Sequence, residues 1–544
     1  MTTEKYIINE LERFLKAQKI SDLEIVLQRP KEQQFGDYSS NLAMQLARHL
    51  KKNPKQIAED IKAFFDLNPE YISGIEIAGP GFLNFFASNS NLYHQLEIIL
   101  DKGASYGRSN IGQGQKALVE FVSANPTGPL TIGHGRQAVL GDTVARLLDA
   151  VGYEVTREYY FNNAGRQMRV LGNSVRLRYL ELTGMEIEFP DDHYQGEYII
   201  EIARELLNEF GDSLKDKTDS PIFKDRAEQS IFTDIKKTIK RIGFEFDVFF
   251  NEKSLYDDGK IDSTIQGLAE KKLVAERDGA TWFLTTKLGF DQDRVIIKNT
   301  GEPTYRLPDM AYHVEKYKRG FDNIIDIFGA DHIATYPDVL AALEALGYDT
   351  KKVHVLIHQF VTLTENGEKV KMSTRKANFV TLDELLDEVG ADVTRYFFIM
   401  RHMNSHLNFD LSLAKTQSDE NPVYYIQYAH ARICSIISLG ESKNIELDKK
   451  ANLSLLAAPE EINLIKHLID FPVVLEASAV NYEPHRMANY LFEVASLFHK
   501  FYTVCRVITE DSELTVARLA LIDATRIVIA NGLEKLGISA PVRM

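Results

Sequence analysis

VEFVSANPTGPLTIGHGRQAVLGD, residues Val119 to Asp142, is the stretch whose reading decides the fold. Ala117 to Val122 is a short apolar run rich in β-branched and aromatic residues, which predicts a buried strand. The loop Ser123 to Gly135 carries two prolines and three glycines, so turns punctuate it and its backbone is bare where a ligand would come close. From about Arg136 the spacing of Val139, Leu140, Val144, Leu147 and Leu148 predicts a helix whose free N–H groups point back at the loop. Strand, glycine-containing loop and helix N-terminus make an anion site suited to phosphate, although a plain βα connection has the same outline.

The chain has 544 residues and 44% apolar content, enough for two to four domains with sizeable cores. A net charge of −15 taken alone argues against a polyanionic partner, because nucleic-acid binding leaves a basic footprint. An acidic enzyme can still present basic residues locally. The last third holds Arg395, Arg401, Arg432, Arg486, Lys500, Arg506, Arg518, Arg526 and Arg543, a set that equally serves as a solvated helix surface. Two cysteines, Cys434 and Cys505, predict neither a disulfide framework nor a structural zinc site, and no protein-bound structural metal is expected. The charged, amphipathic N-terminus is not read as a signal peptide, and no stretch is apolar for long enough to span a membrane. The cytoplasm is the expected compartment.

In chain order, residues 1–110 read as a small α/β domain, with a helical stripe at Ile7, Leu11, Phe14 and Leu15 and a short strand at Glu24 to Leu27. Pro54 sits where proline suits a first helical turn, and Ile75 to Phe86 alternates as a paired strand or hairpin. Ser105 to Gln115 reads as a linker. Residues 115–390 read as an α/β domain with further strands at Glu154 to Tyr160, Asn323 to Phe328 and Lys352 to Phe360, interrupted by an insertion near 180–290. Thr281 to Leu284 and Arg294 to Lys298 frame an antiparallel patch there. Residues 391–544 are helical in pattern. Within this frame Tyr305 and Asp309 are four apart and share a helix face, either as a solvated pair or as a clamp for a guanidinium. Pro308 places a kink or a helix start between them. Gly329-Ala-Asp331-His332 follows an apolar strand, where open parallel sheets bind ligands. His354 and His358 read as structural, and Lys369 to Lys376, KVKMSTRK, as a basic loop before a helix at Leu382 to Val389.

Taken together these motifs resemble class I aminoacyl-tRNA synthetases, and the arginyl-tRNA synthetases in particular. Leu130 to His134 resembles the H-x-G-H signature, with Ala124 to His134 similar to its arginyl version and Thr131 standing where the family has a first histidine. Lys371-Met-Ser373-Thr-Arg375 is similar to the K-M-S-K-S signature, with Thr374 in place of the second lysine. Ala391 to Phe398 resembles the D-A-L-R segment, and the likeness runs through Tyr424 to Arg432 and Leu536 to Met544. The resemblance implies a doubly wound parallel-sheet (Rossmann-type) catalytic domain between a small N-terminal α/β domain that meets the outer corner of tRNA and a C-terminal all-α anticodon-binding bundle. It implies a monomeric arginine–tRNA ligase that joins L-arginine, activated by ATP with Mg2+, to tRNA(Arg). His134, Thr131, Lys371 and Arg375 would be catalytic. Gly133, His134, Gly329, Asp331, His332, Lys371 and Ser373 would hold ATP, and Glu120, Ser123, Asn125, His134, Tyr305, Asp309 and Thr335 would hold arginine. Tyr428 and Arg432 would meet tRNA. A cysteinyl-type enzyme would need zinc ligands that are missing here, and a small-molecule nucleotidyltransferase has no use for the last 150 or so residues. A non-catalytic paralogue is the remaining alternative, motivated by Thr131 and Thr374.

Overall fold

In this computed structural model the described residues are 1–544 without 31, 218–219, 331–332 and 371–379. Near the N-terminus, the helix Thr3–Ala17 turns Tyr6, Ile7, Leu11, Phe14 and Leu15 inward against Leu42, Leu46, Ile57, Ile61 and Phe85. These close over a four-stranded antiparallel sheet ordered Leu27–Gln28, Tyr38–Ser40, Phe82–Ala87, Ile72–Ala78. Only Leu27 of the expected strand at Glu24 to Leu27 pairs, because the short partner Tyr38–Ser40 offers few ladder positions. Pro54 opens the helix Pro54–Phe64 behind the N-cap Asn53, whose side chain accepts from the Lys55 N–H. The next helix, Asn89–Lys102, buries Leu92, Leu96, Ile99 and Leu100 in the main core rather than in this one.

The main core surrounds a five-stranded, all-parallel sheet ordered Val353–His358, Asn323–Gly329, Lys116–Glu120, Glu154–Phe161, Val248–Asn251. Numbered by appearance along the chain, that order is 5-4-1-2-3. Crossovers leave the first strand in one direction and return on its other side, which is the doubly wound arrangement expected from the sequence. Two apolar cores cover its faces. Ala117, Val119, Phe121, Ile325 and Ile327 point to the face with the helix Ile132–Ala150, whereas Tyr312, Leu307 and Met310 of the helix Arg306–Lys318 cover the opposite one. The order reverses between Lys116–Glu120 and Asn323–Gly329, so ligands are expected at the carboxyl ends of these two strands.

Between residues 180 and 290 the helices Glu197–Phe210 and Ile222–Arg241 pack on the helix Gly165–Leu182. The chain then re-enters the sheet at Val248–Asn251. After the helix Lys260–Glu270, the strands Val274–Arg277, Ala280–Phe283 and Arg294–Ile297 form the antiparallel patch, one strand larger than the expected pair. The helix expected at Leu382 to Val389 extends to Ile399, bent where Gly390 takes φ 78°. Five helices, Pro422–Ser442, Pro459–Ile469, Phe471–Val480, Pro484–Val504 and Ser512–Leu536, build the C-terminal bundle. Arg395 ties it to the sheet: fully buried, it donates to the carbonyls of Leu536 (2.8 Å) and Ile242 (3.0 Å) and to Asp142 of the helix Ile132–Ala150 (2.6 Å).

Candidate active site

The helix after the first strand starts at Ile132, four residues earlier than the glycines suggest, because Thr131 caps it. The Thr131 hydroxyl accepts from the His134 N–H (3.5 Å), and the Thr131 N–H donates to His134 Nδ1 (3.2 Å). This capping box fixes the tautomer. With Nδ1 accepting, the ring proton resides on Nε2, and burial lowers the pKa of the imidazole so that it stays neutral. His134 is thus a neutral Nε2–H donor on the first helical turn beside exposed Gly133, where helix N–H groups and dipole favour an anion. Gly135 and Gly141 serve packing instead. A Cβ on Gly135 would lie 2.6 Å from Leu382, and one on Gly141 2.1 Å from the Phe121 ring. The cap is also pinned from outside: Thr131 bridges to Thr381, and the Leu382 N–H donates to the Leu130 carbonyl (2.8 Å).

Before that helix, Val122 and Ser123 take φ 68° and 42°, a left-handed conformation that costs a β-branched residue most. The Ser123 N–H donates to the Phe121 carbonyl (3.0 Å), and two hydrogen bonds of the Ser123 side chain hold the turn. Ser123 Oγ donates to Glu120 Oε1 (2.9 Å) and accepts from the Tyr160 N–H (3.2 Å). Further along, Asn125 Oδ1 accepts from the Asn162 N–H (3.0 Å) and its Nδ2 donates to Gln167 (2.9 Å). Ser123 and Asn125 thereby fasten the loop to the end of the neighbouring strand.

Sheet register places Asp326, Glu120 and Glu158 side by side on three adjacent strands, with Asp326 opposite Glu120 and Glu120 opposite Glu158. Three like charges in one row repel, and the helix Arg306–Lys318 and the residue after it supply the cations. Lys316 Nζ, fully buried, lies 2.5 Å from Glu120 and 2.6 Å from Asp326. His313 Nε2 is 2.9 Å from the second oxygen of Asp326, and Arg319 pairs with both oxygens of Glu158, which also accepts from Tyr312 (2.5 Å). Burial would raise the Asp326 carboxyl, but Lys316 and His313 outweigh it and hold the group well below the usual range.

Two further carboxylates lie near this row. Glu252, 8% exposed, accepts from Tyr160 (2.7 Å) and Asn162 (2.7 Å), both neutral donors, and burial raises its carboxyl above the ordinary range. Asp309, in the first turn of the helix Arg306–Lys318, is pushed up to about 7 by burial, with Glu120 and Glu252 adding repulsion against the pull of His313 and Lys316. Among the described residues neither Asp309 nor Glu252 has a Lys or Arg in ion-pair contact. Composition and spacing gave no sign of Glu252, because its meaning depends on Tyr160 and Asn162, which lie 92 and 90 residues away in sequence.

Other expected residues are placed as follows. Tyr305 caps the helix from outside, 80% exposed, so its phenol stands in solvent rather than against Asp309; Pro308 fits the first turn without a kink. Glu120 faces Lys316 and Ser123. Gly329 closes its strand at the switch point, and Thr335 is the N-cap of the helix Tyr336–Ala345. Asp331, His332, Lys371, Ser373 and Arg375 lie outside the described residues. In the bundle, Tyr428 stacks on His499 (5.9 Å between centroids), and Arg432 lies over the rings of Tyr428 and Tyr502 (5.5 and 5.1 Å). His499 and Tyr502, half-buried on the helix Pro484–Val504, are the part of this aromatic and cationic cluster that sequence spacing did not reveal.

Comparison with known proteins matches three family descriptions in succession. These are the arginyl-tRNA synthetase N-terminal domain over residues 2–87, the class I (R) tRNA synthetase catalytic domain over 95–404 and the DALR anticodon-binding domain over 426–544. An arginine–tRNA ligase of Desulfotalea psychrophila is 55% identical over 517 residues, covering 95% of this chain and 94% of that one. One from Chlorobaculum tepidum is 51% identical over 533 residues, covering 96% and 97%. Among solved structures, Thermus thermophilus arginyl-tRNA synthetase shares the fold at TM-score 0.77 and 23% identity, over 99% of this chain and all of that one. A capped helix N-terminus and a cluster of buried carboxylates stand at the switch point, the three family matches run in succession along the chain, relatives are about half identical over nearly its full length, and the chain belongs to the arginyl-tRNA synthetases.

Proposed function

We propose that this arginine–tRNA ligase receives the guanidinium of its substrate between Asp309 and Glu252. The observation that carries the reading is the contrast among five buried or half-buried carboxylates: Glu120, Asp326 and Glu158 each have a Lys or Arg in contact, whereas Asp309 and Glu252 have none among the described residues. A guanidinium has five donors and a permanent charge, and two carboxylates on fixed elements satisfy it where one would discriminate poorly against lysine. Tyr305, four residues before Asp309 and standing in solvent, closes over the bound side chain. Glu120, Ser123 and Asn125 line the α-amino end, and Thr335 borders the pocket.

In this reading the arginine carboxylate attacks the α-phosphate of ATP, giving arginyl-adenylate and pyrophosphate, and the terminal ribose hydroxyl of tRNA(Arg) then displaces AMP. Gly133 lets the phosphates approach the helix N-terminus, and neutral His134 donates Nε2–H as charge develops. Thr131 acts through the cap by holding that donor in its tautomer. Gly329, Asp331 and His332 hold the nucleoside, and Lys371, Ser373 and Arg375 gather the leaving pyrophosphate. Mg2+ brought with ATP would offset charge on its phosphates. Tyr428 and Arg432, with His499 and Tyr502, stack on unpaired anticodon bases. A monomer working in the cytoplasm belongs to the same reading, and no helix among the described residues is long and apolar enough to cross a membrane. Pyrophosphate exchange with arginine, ATP and matching tRNA tests the reaction. Glu252→Gln and Asp309→Asn should each raise the arginine KM with the ATP KM unchanged; absence of arginine-dependent exchange by the parent enzyme defeats the reading.

A further inference from the structure

We infer that Lys316 is a positioning residue for arginine recognition, acting through Glu120 on the strained turn Val122–Ser123. This rests on the reading that Ser123 and Asp309 contact arginine. Lys316 lies on the same helix as Asp309, with no surface in solvent and a salt bridge to each of two neighbouring strands at 2.5 and 2.6 Å. Its ammonium has no surface on which to meet a substrate. It holds one oxygen of Glu120 and thereby orients the other, which accepts from Ser123 Oγ at 2.9 Å. Ser123 in turn accepts from the Tyr160 N–H. Val122 and Ser123 adopt successive left-handed conformations, and such a turn persists only where its surroundings over-determine it. The link from Lys316 through Glu120 and Ser123 to Tyr160 supplies that constraint.

The same helix presents Asp309 seven residues before Lys316, so the contacts of Lys316 with the sheet also fix how far Asp309 stands from the loop. His313 adds a second tie, bonding Asp326 through Nε2 (2.9 Å) and the Asp309 carbonyl through Nδ1 (2.8 Å). Lys316 also engages Glu120, leaving Asp309 without a cation in contact among the described residues. A hydrophobic residue of similar length would fill the space, yet it would leave Glu120 unpaired and Ser123 without an oriented acceptor.

The test compares Lys316→Met and Lys316→Arg with the parent and with Asp309→Asn in pyrophosphate exchange, measuring KM for arginine and for ATP separately. Lys316→Met should raise the arginine KM by about tenfold, the scale of one misaligned charged hydrogen bond, and leave the ATP KM within about twofold. Lys316→Arg, which keeps a cation between the carboxylates, should recover most of the loss. If Lys316→Met does not fold, Asp326→Asn replaces it. That variant keeps Lys316 but removes one anchor, and should shift the arginine KM in the same direction by a smaller factor. A folded variant with unchanged arginine KM, or with arginine and ATP KM raised alike, overturns the inference. Should Asp309→Asn also leave the arginine KM unchanged, the arginine site itself is misplaced, which separates the two failures.

Discussion

Raising the pH from 6 to 8 should tighten arginine binding about tenfold, because the proton on Asp309 must leave before a guanidinium can pair with its carboxylate. Burial pushes this carboxyl up to about 7 in the ligand-free protein. The substrate guanidinium keeps its charge throughout this range, so the titrating partner is on the protein. For one such group the apparent KM is multiplied by one plus the ratio of proton concentration to the acid constant, about 11 at pH 6 and about 1.1 at pH 8. The sign is that of a carboxylate with a raised pKa. In the free protein its contribution to stability is complete below its unfolded value and is lost as pH rises through 7; arginine reverses this by favouring the ionised form. Arginine KM measured by pyrophosphate exchange at saturating ATP and tRNA across pH 6 to 8.5 gives the profile. Calorimetry in two buffers of different ionisation enthalpy counts the proton released on binding. Asp309→Asn should raise the arginine KM by about tenfold or more and remove this limb of the profile. An arginine KM that is flat from pH 6 to 8, with no proton released, refutes the assignment of the clamp.

Thr131→Ala should slow adenylate formation about fivefold at unchanged arginine KM, since a lost N-cap costs about 1 kcal/mol and loosens His134; single-turnover adenylate formation checks it. Gly141→Ala should lower the midpoint of denaturant unfolding, because the new methyl meets the Phe121 ring and overpacking a core costs about 1–3 kcal/mol. Gly537→Ala should destabilise the junction of bundle and sheet, as Gly537 has φ 67° and the added carbon would lie 2.4 Å from the Arg395 guanidinium; hydrogen exchange at the C-terminal helix reads this directly. Arg432→Ala should raise the tRNA KM in aminoacylation and leave the arginine KM alone, removing a cation stacked over two tyrosines.

Four strands of the parallel sheet and the C-terminal helices were legible because each depends on local apolar periodicity, whereas the doubly wound arrangement came from the family resemblance and the edge strand Val248–Asn251 was not foreseen. Boundaries failed where one residue served two purposes. Glycines at 133 and 135 read as loop, whereas the reciprocal Thr131–His134 cap places them inside a helix, and Gly135 is small because Leu382 packs there. Tyr305 and Asp309 were recognised as a pair by spacing. Spacing could not say that one stands in solvent and the other is buried enough to titrate near neutrality. Lys316 and Glu252 were illegible for a different reason: a lysine or glutamate in a helical or strand-end pattern reads as surface, and only sheet register reveals which carboxylates it must face.

That register also explains why charge is buried here at all. Ion pairs taken out of water contribute little net stability, and a well-packed apolar replacement often folds as well, so the two buried networks of this protein are poor candidates for stabilisers. Their placement is informative. One lies on each face of the same sheet: Lys316 with Glu120 and Asp326 on one side, and Asp142 with Arg146, Arg157 and Arg395 on the other. Asp142 is on the helix whose N-terminus carries His134, and Glu120 closes the strand that leads into it. An apolar contact tolerates sliding, whereas an ammonium or guanidinium held by two or three oxygens at fixed angles does not. The strand, strained turn and the helix Ile132–Ala150 are therefore fixed from both faces. This fixes the distance between the helix N-terminus at His134 and Asp309, the separation that an arginine substrate spans on the proposed reading.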